Sequence, residues 1–309
     1  MLKIYRHPKF WYELESVTRF IDVEYVNEIN QADYVEIATS EPAPVFEGIT
    51  KPIIYSYVRE HSYPHDDYLK VQFNSLLPSQ YIKIFSLSPF SYFKWQGENI
   101  IIDQFELDAY YRLFVKKECL TTDTNSGITR FLFLGGKAGK MNRKPLYDAL
   151  ISNNLYDKGI CTLFDINDSP DHIQREGDHY LGYPYDVSLY QKTNFSLIAE
   201  THFEHNQEFH PTEKTYRAIA NCHPFIIAST PDYLGYLKRK GYKTFGSIID
   251  ETYDTITSHN DRLDMVIHSL KGALKKSYID FQEIVKYNKE VLIKNAKNTQ
   301  QLIREEIEK

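Results

Sequence analysis

The stretch that most constrains the fold of this chain is residues 193–229, TNFSLIAETHFEHNQEFHPTEKTYRAIANCHPFIIAS. An apolar run, Phe195–Ala199, ends in the carboxylate Glu200 and is followed by a polar loop. Helix-start signals come at residues 211–214 (Pro-Thr-Glu-Lys), and a second apolar run covers residues 224–228. The pattern predicts a strand, a loop, a helix and a further strand. The loop would lie at the carboxyl end of the strand, where α/β folds bind ligands.

Lys214 is the unusual residue of this unit. Glu213 suits the positive end of a helix dipole, whereas a cation in the same first turn is unfavourable. A bound anion would reverse that effect, because helix N-termini bind phosphates. The position therefore indicates a phosphate site, and the alternative is that Lys214 is an ordinary solvated surface residue.

A glycine-rich segment, GGKAGKMNR at residues 135–143, is a second candidate phosphate site. Glycines let backbone N–H groups approach an anion, and Arg143 could bind a phosphate through two parallel hydrogen bonds. The spacing is one residue short of a Walker loop, and Met141 stands where Ser or Thr would bind magnesium. A plain turn is therefore the alternative. Asn142 is expected to cap a helix over residues 144–150.

Composition sets the broad class. The 309 residues suffice for two domains, and 42% hydrophobic with 25% charged residues is typical of a soluble globular protein. A net charge of −6 argues against a generally cationic nucleic-acid coat, though not against a local basic groove. Three scattered cysteines, an N-terminus too polar for a signal peptide and no membrane-length apolar stretch predict a cytoplasmic protein.

The order of apolar runs predicts the domain organisation. We expect an N-terminal α/β domain over residues 1–122, a second over 123–265 and a helical tail over 266–309. The polar segment at residues 118–129 is the candidate linker. Further predicted strands cover residues 20–26 and 243–245.

A histidine cluster, His202, His205 and His210, raises the possibility of a metal. Its spacing fits no zinc pattern and no cysteine accompanies it, so a polar loop is the alternative and we assign no metal ligand. No GxSxG elbow or Cys/His signature supports hydrolysis through a covalent nucleophile.

Residues 131–150 (FLFLGGKAGKMNRKPLYDAL), taken together with residues 194–229, resemble the donor-binding half of the fucosyltransferase-like family, of the phage and bacterial kind. Those proteins are inverting, nucleotide-sugar-dependent glycosyltransferases with two facing Rossmann-like domains, the GT-B arrangement. The resemblance covers roughly residues 130–260. It implies an α/β GT-B fold, here with a long C-terminal helical tail. Residues 199–202 (Ala-Glu-Thr-His) depart from the family's Phe-Glu-Asn-Ser, which leaves the sugar and the nucleotide open.

Carried over to this sequence, the resemblance implies a donor site. Arg143 and Lys214 would bind the diphosphate of a UDP- or GDP-sugar co-substrate, and Glu213 would hold ribose or base hydroxyls. Glu200 stands where the family's signature Glu stands, as a further donor-binding residue. The cations would stabilise the leaving diphosphate without an obligatory metal or cofactor.

Residues 53–74 resemble the family's strand and loop that carry the catalytic Glu. Glu60 would then be the general base that deprotonates an acceptor hydroxyl during attack on the anomeric carbon. Glu41 is a competing candidate, and ordinary loop solvation is the alternative for Glu60.

The acceptor and two rival functions stay open. The acceptor is a glycan or lipid-linked sugar, or a hydroxymethylated base of phage DNA, in which case the protein works in the host cytoplasm. DNA modification would need base flipping and a basic rim. The available lysines are Lys116, Lys117, Lys137, Lys140 and Lys144. The rivals are a non-catalytic nucleotide- or carbohydrate-binding module on the same fold, and an interaction protein that oligomerises through its tail.

Overall fold

In the computed structural model the chain forms two units, each with its own parallel sheet. The structure describes residues 1–11, 16–39, 49, 51–57, 82–86, 100–114, 130–137, 142–164, 187–204 and 211–309. The first unit comprises Met1–Leu107 with Ala296–Lys309, and the second comprises Asp108–Asn295. The predicted linker at residues 118–129 lies outside the described residues, so the predicted domain boundaries stay predictions.

The first unit is built on a six-stranded sheet of order β2-β1-β3-β4-β5-β6, in which every pair is parallel. Its strands are β1 (Lys3–Trp11), β2 (Glu24–Val26), β3 (Tyr34–Thr39), β4 (Ile53–Tyr57), β5 (Ile82–Ser86) and β6 (Ile100–Ile101). Parallel sheets are covered on both faces, which suits apolar strands such as β4. Consistent with this, Ile53 and Ile54 are both fully buried although they point to opposite faces.

A buried carboxylate on β3 fixes the segment that precedes β2. Glu36 on β3 is fully buried and accepts hydrogen bonds from Ser16 Oγ (2.8 and 2.9 Å), Thr18 N (3.2 Å) and Thr18 Oγ1 (2.7 Å). These bonds hold a 3-10 turn at Thr18–Phe20. The predicted strand over residues 20–26 is therefore too long, because its start belongs to this turn and only Glu24–Val26 pairs with β1.

The second unit carries a four-stranded parallel sheet of order β10-β9-β7-β8. Its strands are β7 (Phe131–Lys137), β8 (Gly159–Phe164), β9 (Phe195–Ala199) and β10 (Phe225–Ala228). The helices, in chain order, are α1 (Gln104–Phe114), α2 (Arg143–Ser152), α3 (Val187–Gln191), α4 (Glu213–Ala220), α5 (Tyr233–Arg239), α6 (His259–Ala273) and α7 (Gln282–Glu308). The two parallel sheets and the long helix α7 confirm the predicted α/β class with a helical tail. The facing of the two domains stays a prediction.

The predicted strand over residues 243–245 is wrong. A side chain of α7 supplies the hydrogen bonds that a neighbouring strand would make. Lys243 N donates to Asn288 Oδ1, and Asn288 Nδ2 donates to Lys243 O, both at 2.8 Å. Phe245 N donates to Glu251 Oε1 at 2.6 Å instead of to a sheet neighbour. The backbone N–H and C=O groups of this segment thus bond to side chains and not to a neighbouring strand. The residue types within the segment do not show which of these partners the backbone will have.

His223 ties the turn before β10 to the start of β9. Its Nε2 donates to Thr193 O at 2.8 Å, so Nδ1 accepts from Ser196 Oγ at 2.8 Å. The side chain is fully buried, and this burial lowers the pKa of His223 to about 4 against an opposing effect of its backbone partners. His223 is therefore neutral in the folded protein at neutral pH.

We predict that His223 makes the protein sensitive to mild acid. The pKa of His223 is 6.5 in the unfolded chain and about 4 in the folded protein. At a pH between these two values, the unfolded chain binds a proton at His223 that the folded protein does not bind. The free energy of unfolding should therefore fall as pH falls through this window, by on the order of 3 kcal/mol at about 1.4 kcal/mol per pKa unit. Urea unfolding between pH 7 and 4 should show a shallower pH dependence for His223→Gln.

The matched control is His268→Gln, because the His268 side chain is 66% exposed. This variant should keep the wild-type pH dependence. If the free energy of unfolding falls equally with pH in His223→Gln and in the wild type, His223 is not the source of the acid sensitivity. This holds whatever the absolute stabilities of the two proteins.

Candidate functional site

The predicted ligand-binding segments meet at one edge of the second sheet. From β7 the chain continues to β8 on one side and then crosses to β9 on the other, so the strand order reverses beside β7. Ligands of open α/β sheets bind outside the carboxyl ends of the strands at such a switch point. Glu200 directly follows β9, and the glycine pair 135–136 lies near the end of β7.

The glycine pair forms a bulge that makes room for Arg143. The pairing of β7 with β8 shifts register between Leu134 and Gly136, and Gly136 has a φ of +65°. A Cβ on Gly136 would lie 3.0 Å from Arg143 Nη1. Glycine thus permits both the left-handed backbone and the close approach of the guanidinium. The rest of the predicted phosphate loop, residues 138–141, lies outside the described residues.

Arg143 is a buried cation at the start of α2. Its side chain is only 7% exposed, and burial lowers the pKa of Arg143, while the nearby carboxylates of Glu213 and Glu200 oppose that effect. Arginine remains protonated under such a shift because its ordinary pKa lies far above neutral pH. The structure thus places a permanent positive charge at this edge of the sheet.

Asn142 precedes α2, as predicted, but its side chain makes no capping bond. Its Nδ2 donates instead to Glu200 O (3.1 Å) and to Ala228 O (3.2 Å), the carbonyls where β9 and β10 end. The predicted capping bond is therefore wrong. The Asn142 side chain is oriented by the hydrogen bonds that its NH₂ group donates to the strand-end carbonyls, and not by a bond to the first turn of α2. The bonds fix the start of α2, and so Arg143, against the ends of both strands.

Glu200 is the centre of a hydrogen-bonded cluster. It is fully buried. Its carboxylate accepts from Thr212 N (3.3 Å), from Thr212 Oγ1, from Thr215 Oγ1 (2.7 Å) and from Tyr233 OH (2.9 Å). Burial, and then the charge of Glu200, raise the pKa of Tyr233 well above its usual value, so its hydroxyl remains a donor. Glu200 thereby fixes the first turn of α4 to the end of β9.

Lys214 and Glu213 complete a cluster of four charged groups. Lys214 Nζ lies 3.0 Å from Thr212 Oγ1, 3.3 Å from Glu213 Oε1 and 3.8 Å from Glu200 Oε2. Burial alone would raise the pKa of Glu213, but Lys214 and Arg217 outweigh it and lower this pKa to about 2. The Lys214 side chain is 19% exposed, so it is not the freely solvated residue of the alternative interpretation.

The chain beyond Glu200 is held by residues that the sequence did not single out. Arg262 on α6 is 1% exposed and donates to Phe203 O and to Ile256 O (2.6 Å), with its guanidinium 4.2 Å from the Phe203 ring centroid. His259 Nδ1 lies 2.8 Å from Glu204 Oε1. These partners are far from the loop in sequence, so no local pattern predicts them.

Several predicted residues lie outside the described residues. They are Glu41, Glu60, Lys116, Lys117, Lys140, His205 and His210. Of the predicted basic rim, Lys144 is exposed and pairs with Asp148 at 2.7 Å. Within the described ranges, no three His, Cys, Asp or Glu side chains are grouped so as to hold a metal ion. No helix in the described part of the chain is both long and apolar enough for a membrane crossing.

No protein-family model matches the chain, and no curated protein matches it. Among solved structures, the chain is similar to an α1,3-fucosyltransferase with GDP-fucose, at 13% identity and a TM-score of 0.40. Two further α1,3-fucosyltransferase structures, one of them with GDP, give 15% and 13% identity with TM-scores of 0.37 and 0.35. Each likeness covers 94% of this chain and 90% of the other. At such scores the likeness carries no argument about function.

We predict that Glu200→Gln destabilises the protein by on the order of 2–4 kcal/mol, measured by urea unfolding at pH 7. The glutamine NH₂ would face hydroxyl donors that now bind a carboxylate oxygen. Asp148→Asn is the matched control, because both side chains of its ion pair with Lys144 are 54% exposed. It should cost less than about 1 kcal/mol. Equal losses for the two variants would contradict the central place of Glu200.

Proposed function

We propose that this protein is a nucleotide-sugar-dependent glycosyltransferase that moves a sugar from a UDP- or GDP-sugar to an acceptor hydroxyl. One observation carries the proposal. Two cations that are distant in sequence meet at the carboxyl edge of one parallel sheet. Lys214 Nζ lies 3.8 Å from Glu200 Oε2, and Arg143 directly follows Asn142, whose Nδ2 donates to Glu200 O at 3.1 Å. The sequence resemblance assigns the same two cations to the donor's diphosphate.

The charges of the cluster suit a dianionic ligand. Arg143 and Lys214 balance Glu200 and Glu213, and Arg217 adds a positive charge close to Glu213. The first turn of α4 contributes the positive end of a helix dipole. A bound diphosphate would replace Glu213 as the ion-pair partner of Lys214 Nζ, because phosphate oxygens are strong hydrogen-bond acceptors for ammonium groups. The freed Glu213 carboxylate would then accept hydrogen bonds from donor hydroxyls.

Glu200 would serve donor binding indirectly. Its carboxylate is fully buried and accepts from Thr212, Thr215 and Tyr233. We therefore propose that it positions the first turn of α4 and Lys214, rather than contacting the sugar nucleotide.

The reaction would follow the inverting scheme. Glu60 removes the proton of an acceptor hydroxyl, that oxygen attacks the anomeric carbon, and the nucleoside diphosphate leaves against Arg143 and Lys214. No step requires a metal. The acceptor is a glycan or a hydroxymethylated base of phage DNA. The second candidate function is a non-catalytic nucleotide-binding module, which the same charged cluster would equally support.

We predict that Arg143→Met and Lys214→Met each weaken nucleotide binding at least tenfold, about 1.4 kcal/mol. Each removes charge-assisted hydrogen bonds to phosphate while keeping an unbranched apolar side chain. Isothermal titration with GDP, UDP, GDP-fucose and UDP-glucose would measure the loss. Thermal shift provides a second readout, because a bound ligand stabilises the folded state by mass action.

The matched control is Lys144→Met, because Lys144 neighbours Arg143 in sequence but is exposed and paired with Asp148. It should bind nucleotides as the wild type does. Wild-type affinity in both the Arg143 and the Lys214 variant would refute the phosphate site.

We predict that Glu60→Gln leaves nucleotide-sugar binding intact and reduces sugar transfer by about 10²-fold or more, since the amide cannot accept the acceptor's proton. Transfer would be followed as nucleoside diphosphate release in the presence of glycan or hydroxymethylated DNA acceptors. Glu41→Gln, the competing carboxylate, should retain transfer. A wild type that binds sugar nucleotides but transfers to none of these acceptors supports the binding module instead.

A further inference from the structure

Two buried polar atoms beside the charged cluster lack a hydrogen-bond partner in the part of the chain that the structure describes. They are Asn142 Oδ1 and Thr230 Oγ1. Asn142 is 1% exposed and Thr230 is 4% exposed, so bulk water does not satisfy them. A buried polar group left without a partner costs about 1–3 kcal/mol, which is why such groups are rare in folded proteins.

Both residues lie where β10 ends. Asn142 Nδ2 binds the carbonyl of Ala228, the last residue of β10, and Thr230 follows two positions later. Asn142 also directly precedes Arg143. The unpartnered oxygens therefore belong to the same edge of the sheet as the proposed diphosphate site.

The neighbouring hydroxyls are satisfied, which makes Thr230 distinctive. Ser229 Oγ donates to His202 O at 3.3 Å, and Thr215 Oγ1 donates to Glu200 at 2.7 Å and lies 3.0 Å from Tyr233 OH. The fold thus supplies partners to other hydroxyls of this region. A group that it leaves unpaired in such surroundings points to a ligand.

The chemistry of the two atoms selects the part of a ligand that they can bind. An amide oxygen only accepts hydrogen bonds, so Asn142 Oδ1 needs a donor and would repel a phosphate oxygen. A threonine hydroxyl both donates and accepts. The pair fits hydroxyl groups, which donate and accept in the same way, rather than the diphosphate itself.

We propose that Asn142 and Thr230 bind hydroxyls of a sugar attached to the diphosphate, and so help to select the donor. The inference rests on the proposed function, because it takes Arg143 and Lys214 as the diphosphate site. The sugar is either the ribose of the nucleotide or the transferred sugar. Both carry hydroxyls next to a phosphate, and the experiment separates them.

Thr230→Val tests the proposal, because it replaces the hydroxyl by a methyl group of similar size. Without ligand the variant should have an unchanged or higher Tm, since it removes an unsatisfied buried hydroxyl. Its affinity for inorganic pyrophosphate should match the wild type. Its affinity for a nucleotide ligand should fall about tenfold, the loss of one hydrogen bond of about 1.4 kcal/mol. Thr230→Ser, which keeps the hydroxyl, should retain most of the affinity.

The probes are pyrophosphate, GDP, UDP, GDP-fucose and UDP-glucose, each titrated calorimetrically. A loss shared by a nucleoside diphosphate and its sugar conjugate assigns the ribose, and a loss confined to the sugar conjugate assigns the transferred sugar. Nucleotide-sugar affinity equal to the wild type overturns this inference alone, as does a lower ligand-free Tm for Thr230→Val. A wild type that binds none of the probes overturns the proposed function as well.

Discussion

The second unit depends on one buried charge. Glu200 carries a carboxylate into the interior at the end of β9, and such a charge costs several kcal/mol unless hydrogen bonds compensate it. The compensation comes from Thr212, Thr215 and Tyr233, so the start of α4 and a residue of α5 are fixed by the same two oxygens. Lys214 follows Thr212 and lies beside this carboxylate because the turn that carries it is held there. The position of the proposed diphosphate-binding cation is thus a consequence of how the fold satisfies Glu200.

Arg143 is brought to the same edge of the sheet by contacts that do not involve the Glu200 carboxylate. A bulge with a left-handed Gly136 leaves space for its guanidinium, and the Asn142 side chain fastens the start of α2 to the carbonyls of Glu200 and Ala228. Two cations and two carboxylates then occupy one edge of the sheet. Under the proposed function, an entering diphosphate would compete with Glu213 for Lys214, because the two side chains form an ion pair.

Sequence patterns predicted the parts of this arrangement that depend on neighbouring residues. The apolar runs around Glu200 and the Thr212 helix start follow from local preferences, and the structure has both. Features that depend on distant partners were missed or wrong. Glu36 was not singled out from the sequence, yet it is a fully buried carboxylate that accepts hydrogen bonds from Ser16 and Thr18. The expected strand at residues 243–245 fails because Asn288, on a later helix, takes its backbone groups. The sequence correctly predicted that Asn142 precedes a helix. Its side-chain NH₂ group, however, donates to strand-end carbonyls that come close only in the folded sheet.

A structural ion cluster and a ligand site differ in what they leave unsatisfied. Folding alone favours a cluster in which every buried polar group has a partner, because each exception lowers stability. Glu200 and its donors meet that condition, so taken alone they would fit a purely structural role. Asn142 Oδ1 and Thr230 Oγ1 do not meet it within the described residues, although hydroxyls nearby do. These two unpartnered oxygens lower the stability of the ligand-free protein. A ligand that donates hydrogen bonds to them would offset this loss of free energy. Under the proposed function the two features would have complementary roles. The satisfied Glu200 carboxylate would hold Lys214 in place, and the two unpartnered oxygens would bind the neutral, hydroxyl-bearing part of the ligand.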